Sequence, residues 1–138
     1  MTSSPAYRPD PKFMALGRDF SDPVDPADFP MTRLRFRNDR AAATVGLETL
    51  SDAAWIAAFG RFEPLPGNQP QPLAMRYHGH QFRSYNPDLG DGRGFLFAQL
   101  REQDSDRLLD LATKGSGQTP WSRQGDGRLT LKGGMREI

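Results

Sequence analysis

Gly94-Phe-Leu-Phe-Ala-Gln-Leu100 and Leu108-Leu-Asp-Leu-Ala-Thr-Lys114 are two short apolar, strand-like runs, and the stretch between them, Arg101 to Arg107, is charged and turn-forming. Together they predict an antiparallel hairpin. On its amino-terminal side stands Leu89-Gly-Asp-Gly-Arg-Gly94. Glycines there permit positive φ and let a backbone approach a phosphate closely, and Arg93 adds a forked cationic donor for phosphate oxygens. An ordinary Asp-Gly turn reads the same residues without a ligand. On the carboxyl-terminal side, Lys114 leaves the second strand before Gly115-Ser-Gly117, where a lysine can reach into a cleft or lie on the surface. Arg128-Leu-Thr-Leu-Lys132 reads as a third short strand or as the lead into a helix starting near Gly134. That helix would carry Glu137, 23 residues after Lys114.

Outward from this centre, the chain is less regular. Pro5, Pro9, Pro11, Pro23, Pro26 and Pro30 predict an extended arm over residues 1–30. Leu34 and Phe36 alternate with Arg33, Arg35 and Arg37, a short strand pattern with one apolar face. Asp52 to Phe59 is the clearest helix. Ser51 can cap it, Asp52 suits its positive end, Gly60 can end it, and Trp55, Ile56 and Phe59 share a core-facing side. Residues 63–72 read as a loop. Two segments result: an N-terminal extension, 1–72, and a segment, 73–138, that carries the glycine turns, Arg93 and Lys114.

Composition narrows the class. The 138 residues hold 12 prolines, 14 glycines and no cysteine. This is turn-rich, and it excludes disulfides, zinc-thiolate sites and a cysteine nucleophile within this stretch. A net charge of +1 argues against nucleic acid as a partner. No apolar run approaches the roughly 20 residues that cross a bilayer, and Met1 to Pro11 does not read as a secretory signal. A cytoplasmic protein with no membrane partner is expected. Met135-Arg-Glu-Ile138 looks like the opening of an element, so the sequence is expected to stop inside a fold. His78 and His80, without a third ligand, make a weak metal site, and a buried hydrogen-bonding role is the expectation for His80.

Gly90-Asp-Gly-Arg93 recurs as Gly125-Asp-Gly-Arg128, 35 residues later, which suggests two glycine turns facing one ligand. Asp126 can bond a ribose or an amine, or cap its own turn. Taken in order, Tyr77-His-Gly-His-Gln-Phe82, Asn86-Pro-Asp-Leu-Gly-Asp-Gly-Arg93, Thr113-Lys-Gly-Ser-Gly-Gln-Thr-Pro-Trp-Ser-Arg123, Gly125-Asp-Gly-Arg128 and Lys132-Gly-Gly-Met-Arg-Glu137 resemble selenoprotein O, the family of kinase-like protein adenylyltransferases. These blocks lie between Tyr77 and Ile138, and similarity upstream is vaguer.

The resemblance implies an α+β fold: part of a protein-kinase-like small lobe of antiparallel strands behind a Pro-rich extension, an incomplete domain. It implies ATP as substrate and transfer of AMP to Ser, Thr or Tyr hydroxyls of proteins. By that similarity Gly90, Gly92, Arg93, Lys114, Asp126 and Gly127 contact ATP, and Glu137 is the ion-pair partner of Lys114. The catalytic aspartate and the Mg2+ ligands are expected downstream of this segment, which alone is expected to be inactive. Arg83 stands where the family usually has glycine, and His78 replaces a smaller residue. A phosphotransferase of the same fold and a non-catalytic nucleotide-binding module are the competing readings.

Overall fold

In the computed structural model, which describes residues 4–138, the two apolar runs form the expected hairpin; the first three residues of the Pro-rich arm lie outside the described part. Its strands are β4 (Leu96–Arg101) and β5 (Leu108–Ala112), antiparallel from Leu96↔Ala112 to Arg101↔Leu108. Every residue of β4 from Leu96 to Leu100 is buried, which is why this run shows no polar alternation. The sequence reading left residues 73–90 without strands. They form a second antiparallel hairpin, β2 (Leu73–Gln81) and β3 (Ser84–Gly90). A further strand, β1 (Ser21–Pro23), pairs Ser21 with Met75 and Pro23 with Leu73. The sheet runs β1-β2-β4-β5, with β3 on β2.

The N-terminal extension is therefore built into the sheet. β2 reaches β4 only at Leu73↔Leu96, so most of that edge of β4 needs other partners. Side-chain amides supply them. Asn68 donates to the Gln99 carbonyl at 2.8 Å and accepts from the Gln99 amide at 3.0 Å, while Gln69 donates to the Leu96 carbonyl at 2.7 Å. The arm completes the edge: the Arg101 amide donates to the Arg8 carbonyl at 2.9 Å. The buried Gln99 side chain accepts from the amides of Lys12 and Phe13, each at 2.8 Å, and donates to Asp110 at 2.7 Å.

Two apolar clusters flank β4. One joins Phe97, Ala98 and Leu100 to Ala42, Val45, Leu47, Leu50, Ala58 and Leu65. The other joins Phe95 to Ala74 and Val24. Phe62 packs edge-on against both Phe95 and Phe97 and bridges the two clusters. The helices are short: α1 (Asp39–Ala43), α2 (Asp52–Trp55) and α3 (Leu131–Glu137). Ser51 caps α2 as expected, accepting from the Ala54 amide at 3.1 Å. After Trp55 the helix widens into a π turn, Ile56–Gly60. Trp55 and Phe59 pack edge-on at 4.7 Å against the first cluster. For residues 128–132, the structure shows an isolated bridge, Ser116↔Arg128, then Thr130 capping α3 through the Gly133 amide at 3.0 Å.

Two expectations are corrected. Leu34 and Phe36 lie outside any strand, and Phe36 is exposed. Arg37 explains why: it bonds the Leu50 carbonyl and Asp52, and stacks 4.5 Å over Trp55, so this segment is fastened by one cation to the start of α2. His80 is exposed and packs on Tyr85, which holds Nδ1 of His78 through its hydroxyl.

The turn joining β2 to β3 holds Phe82 at φ 53° and Arg83 at φ 66°. A two-residue hairpin connection favours positive φ at both positions, and there an L side chain crowds its own carbonyl. Arg83→Gly is expected to stabilise the protein by about 1 kcal/mol by relieving this strain. A higher urea midpoint at unchanged slope would register the gain.

Candidate functional site

Arg93 and Lys114 become neighbours because the open end of the β4–β5 hairpin continues beyond its last strand pair. The Thr113 amide donates to the Phe95 carbonyl at 2.9 Å, and the Gly115 amide donates to the Arg93 carbonyl at 2.5 Å. Gly94 sits between these contacts, and a Cβ there would overlap the Thr113 carbonyl oxygen. Both cations thus project from adjoining backbone. Helix α3 then brings Glu137 to them: Oε2 lies 3.5 Å from Lys114 Nζ, and Oε1 lies 3.4 Å from Arg93 Nη2. All three side chains are substantially exposed, so these pairs are weak and exchangeable.

Arg93 and Lys114 line a cleft of about 920 Å³. Gly90, Asp91 and Gly92 border it, as do Tyr77 and Phe82 of the β2–β3 hairpin and Trp121 of the loop after β5. Of the residues proposed from sequence, Gly90, Gly92, Arg93 and Lys114 are brought together here. Asp126 and Gly127 are not among the lining residues. Asp126 Oδ1 accepts from the Arg128 amide at 3.0 Å, which is the turn-capping alternative. Of the two Gly-Asp-Gly-Arg turns, the first lines this cleft and residues 125–128 of the second are not among its lining residues.

The glycines of the first turn have a different physical basis from the one expected. Neither Gly90 nor Gly92 adopts positive φ. A Cβ on Gly90 would overlap the Trp121 indole, and one on Gly92 would come to 3.1 Å from the Trp121 carbonyl oxygen. The turn is held by the loop facing it. The Thr119 hydroxyl donates to the Asp91 carbonyl and the Ser122 hydroxyl to the Gly92 carbonyl, each at 2.5 Å.

Sequence reasoning missed Asp91. Its carboxylate accepts from the Met75 amide at 2.9 Å while its own amide donates to the Met75 carbonyl at 2.9 Å. Burial pushes its carboxyl above the ordinary value, against the opposing pull of the Met75 amide and the Lys114 charge. Burial also raises Tyr77, and the nearby Asp91 charge adds to it. At the edge of the site Asp22 is held below the ordinary carboxylate value, chiefly by the Arg76 guanidinium. No group of three or more His, Asp or Glu side chains among the described residues is placed to hold a metal ion. Among the described residues no helix is long and apolar enough to cross a membrane.

Comparison with known proteins agrees with the ordered motifs and extends them. The family model described as "Protein adenylyltransferase SelO" matches residues 5–138. The "Protein nucleotidyltransferase YdiU" of Synechococcus elongatus is 58% identical over 131 residues, 94% of this chain and 26% of that protein. Its namesake in Trichormus variabilis is 53% identical over the same shares, and that of Aeromonas salmonicida is 45% identical over 84% of this chain and 24% of its own length. The chain spans about a quarter of the length of the curated relatives it matches. Similarity is not confined to Tyr77–Ile138: it takes in the extension as well, as a segment that supplies β1 and an edge of β4 should. With the match running through residues 5–138, the chain belongs to the family of the protein adenylyltransferase SelO.

Proposed function

We propose that the cleft holds the phosphates of ATP in a cytoplasmic enzyme that transfers AMP to hydroxyls of protein substrates, and that this segment is part of a kinase-like small lobe. The observation that carries the reading is the convergence of Arg93 and Lys114 on Glu137 at the glycine turn. A lysine at the end of a strand, paired with a glutamate on the following helix, is the arrangement by which kinase folds hold nucleotide phosphates. Arg93 adds a planar fork that can take two phosphate oxygens at once.

Transfer of AMP forms one bond, from the acceptor oxygen to the α-phosphorus, and breaks one, from that phosphorus to the bridging oxygen of the leaving pyrophosphate. The acceptor loses its proton to a base. Chemistry of this kind rests on positioning and on offsetting negative charge. Within this chain, Arg93 and Lys114 provide that charge and the glycine turn shapes the wall beside them. Mg2+ and the base belong, in this proposal, to the remainder of the protein.

ATP labelled at either phosphate separates the readings. With the full-length protein, label from the α-phosphate is expected on protein acceptors, and label from the γ-phosphate is not. The reverse pattern would establish a phosphotransferase. ATP binding without transfer of either label would leave a nucleotide-binding module.

A further inference from the structure

We infer that Asp22, carried by the N-terminal extension, is a positioning residue of the nucleotide cleft: it holds the Trp121 indole, and the indole holds the glycine turn. The inference rests on the reading of the cleft as an ATP site. Asp22 lies in β1, where pairing with Ala74 fixes its backbone. Its carboxylate receives two bonds from Arg76, at 2.9 and 2.5 Å, and a third from Trp121 Nε1 at 3.1 Å. Arg76 also lies 5.6 Å over the indole. Asp22 is mostly buried, with 17% of its side chain exposed, so water competes poorly for these bonds.

The pyrrole ring of the same indole, including the Nε1 that bonds Asp22, meets Gly90 so closely that no β-carbon fits between them, and the Trp121 carbonyl approaches Gly92. Thr119 and Ser122, on either side of Trp121, bond the carbonyls of Asp91 and Gly92. The turn that presents Arg93 is thereby clasped by residues 119–122, and that clasp is tied to the extension through one carboxylate. Removing the tie lets the indole rotate away from Gly90 and loosens the wall beside Arg93.

A double-mutant cycle on the full-length protein tests this, with the dissociation constant for ATP measured on folded protein as the readout. Asp22→Asn, which takes the negative charge from the bond to Trp121 and from both bonds to Arg76, is expected to weaken ATP about tenfold. Trp121→Phe keeps a ring against Gly90 but removes the N–H, and should lose a similar factor. If both act through one bond, the double variant is no weaker than the weaker single. The Trp121 indole N–H resonance should shift upfield in Asp22→Asn, a change that general destabilisation would not produce in folded protein. Should Asp22→Asn fail to fold, Trp121→Phe decides alone. ATP affinity kept by Trp121→Phe, or losses that multiply in the double variant, would overturn the inference. Lys114→Ala run alongside keeps the two failures apart: if it retains ATP affinity, the cleft reading falls and this inference with it.

Discussion

Lys114→Ala should weaken ATP binding by about ten- to a hundredfold, the loss expected when a bond to a charged group is removed. The size follows from where the ammonium stands. It lies at the cleft beside Arg93, and its partner Glu137 is 3.5 Å away in a half-exposed setting. An exposed pair of this kind contributes roughly 0–1 kcal/mol, so a phosphate can take Lys114 from Glu137 at little cost. The alanine variant loses the phosphate contact and gains nothing in return. Glu137→Gln is the informative contrast. It removes only the weak pairs to Lys114 and Arg93, so its effect on ATP affinity should stay within about fivefold. Titration calorimetry on both variants reads these numbers directly. An equal loss in the two would mean that helix α3 sets the lysine's position; no loss in Lys114→Ala would remove the phosphate assignment.

Gly127→Ala is expected to cost about 2–5 kcal/mol of stability, combining the strain of a left-handed residue with overpacking. Gly127 is buried, has φ 72°, and faces the backbone of Gly117, so a β-carbon would overlap the Gly117 carbonyl oxygen. The Gly117 amide in turn donates to the Gly127 carbonyl at 3.2 Å. No rotamer relieves a clash between a β-carbon and backbone, so the loop from Gly117 to Arg128 must move. A fall in melting temperature on the order of 10 °C is the corresponding thermal signature. Asp126→Ala, at an exposed position whose carboxylate caps its own turn, should cost about 1 kcal/mol or less. If Gly127→Ala melted like the parent, the steric account of this glycine would be wrong.

What sequence reasoning recovered and what it missed divide along a physical line. The β4–β5 hairpin and the capped helix at Ser51 were legible because their signals are local: continuous apolar runs, a charged turn, a hydroxyl before a helix. Residues 73–90 were not read as strands because Arg76, Tyr77, His78, His80 and Gln81 are all exposed on β2, and such a strand shows no apolar alternation. The Leu34–Phe36 pattern did alternate, yet it forms no strand: Arg37, next in the chain, is held by the Leu50 carbonyl, by Asp52 and by the Trp55 ring, so the segment runs to the start of α2 and not along the sheet. A period in the sequence specifies a face; it does not say whether that face is laid beside another strand.

The site divides in the same way. From sequence alone came the glycine turn with Arg93, the lysine closing a strand and a glutamate on the next helix, because these are residue types at spacings that the chain carries in one dimension. Tertiary structure alone decided which of them share a cleft, that Glu137 bridges both cations, and that Asp126 serves its own turn. It also decided why Gly90 must be glycine, which depends on an indole 31 residues away that is itself held by a carboxylate 99 residues before it. Contacts across such separations depend on how the extension folds back along the sheet, and no local pattern encodes that path.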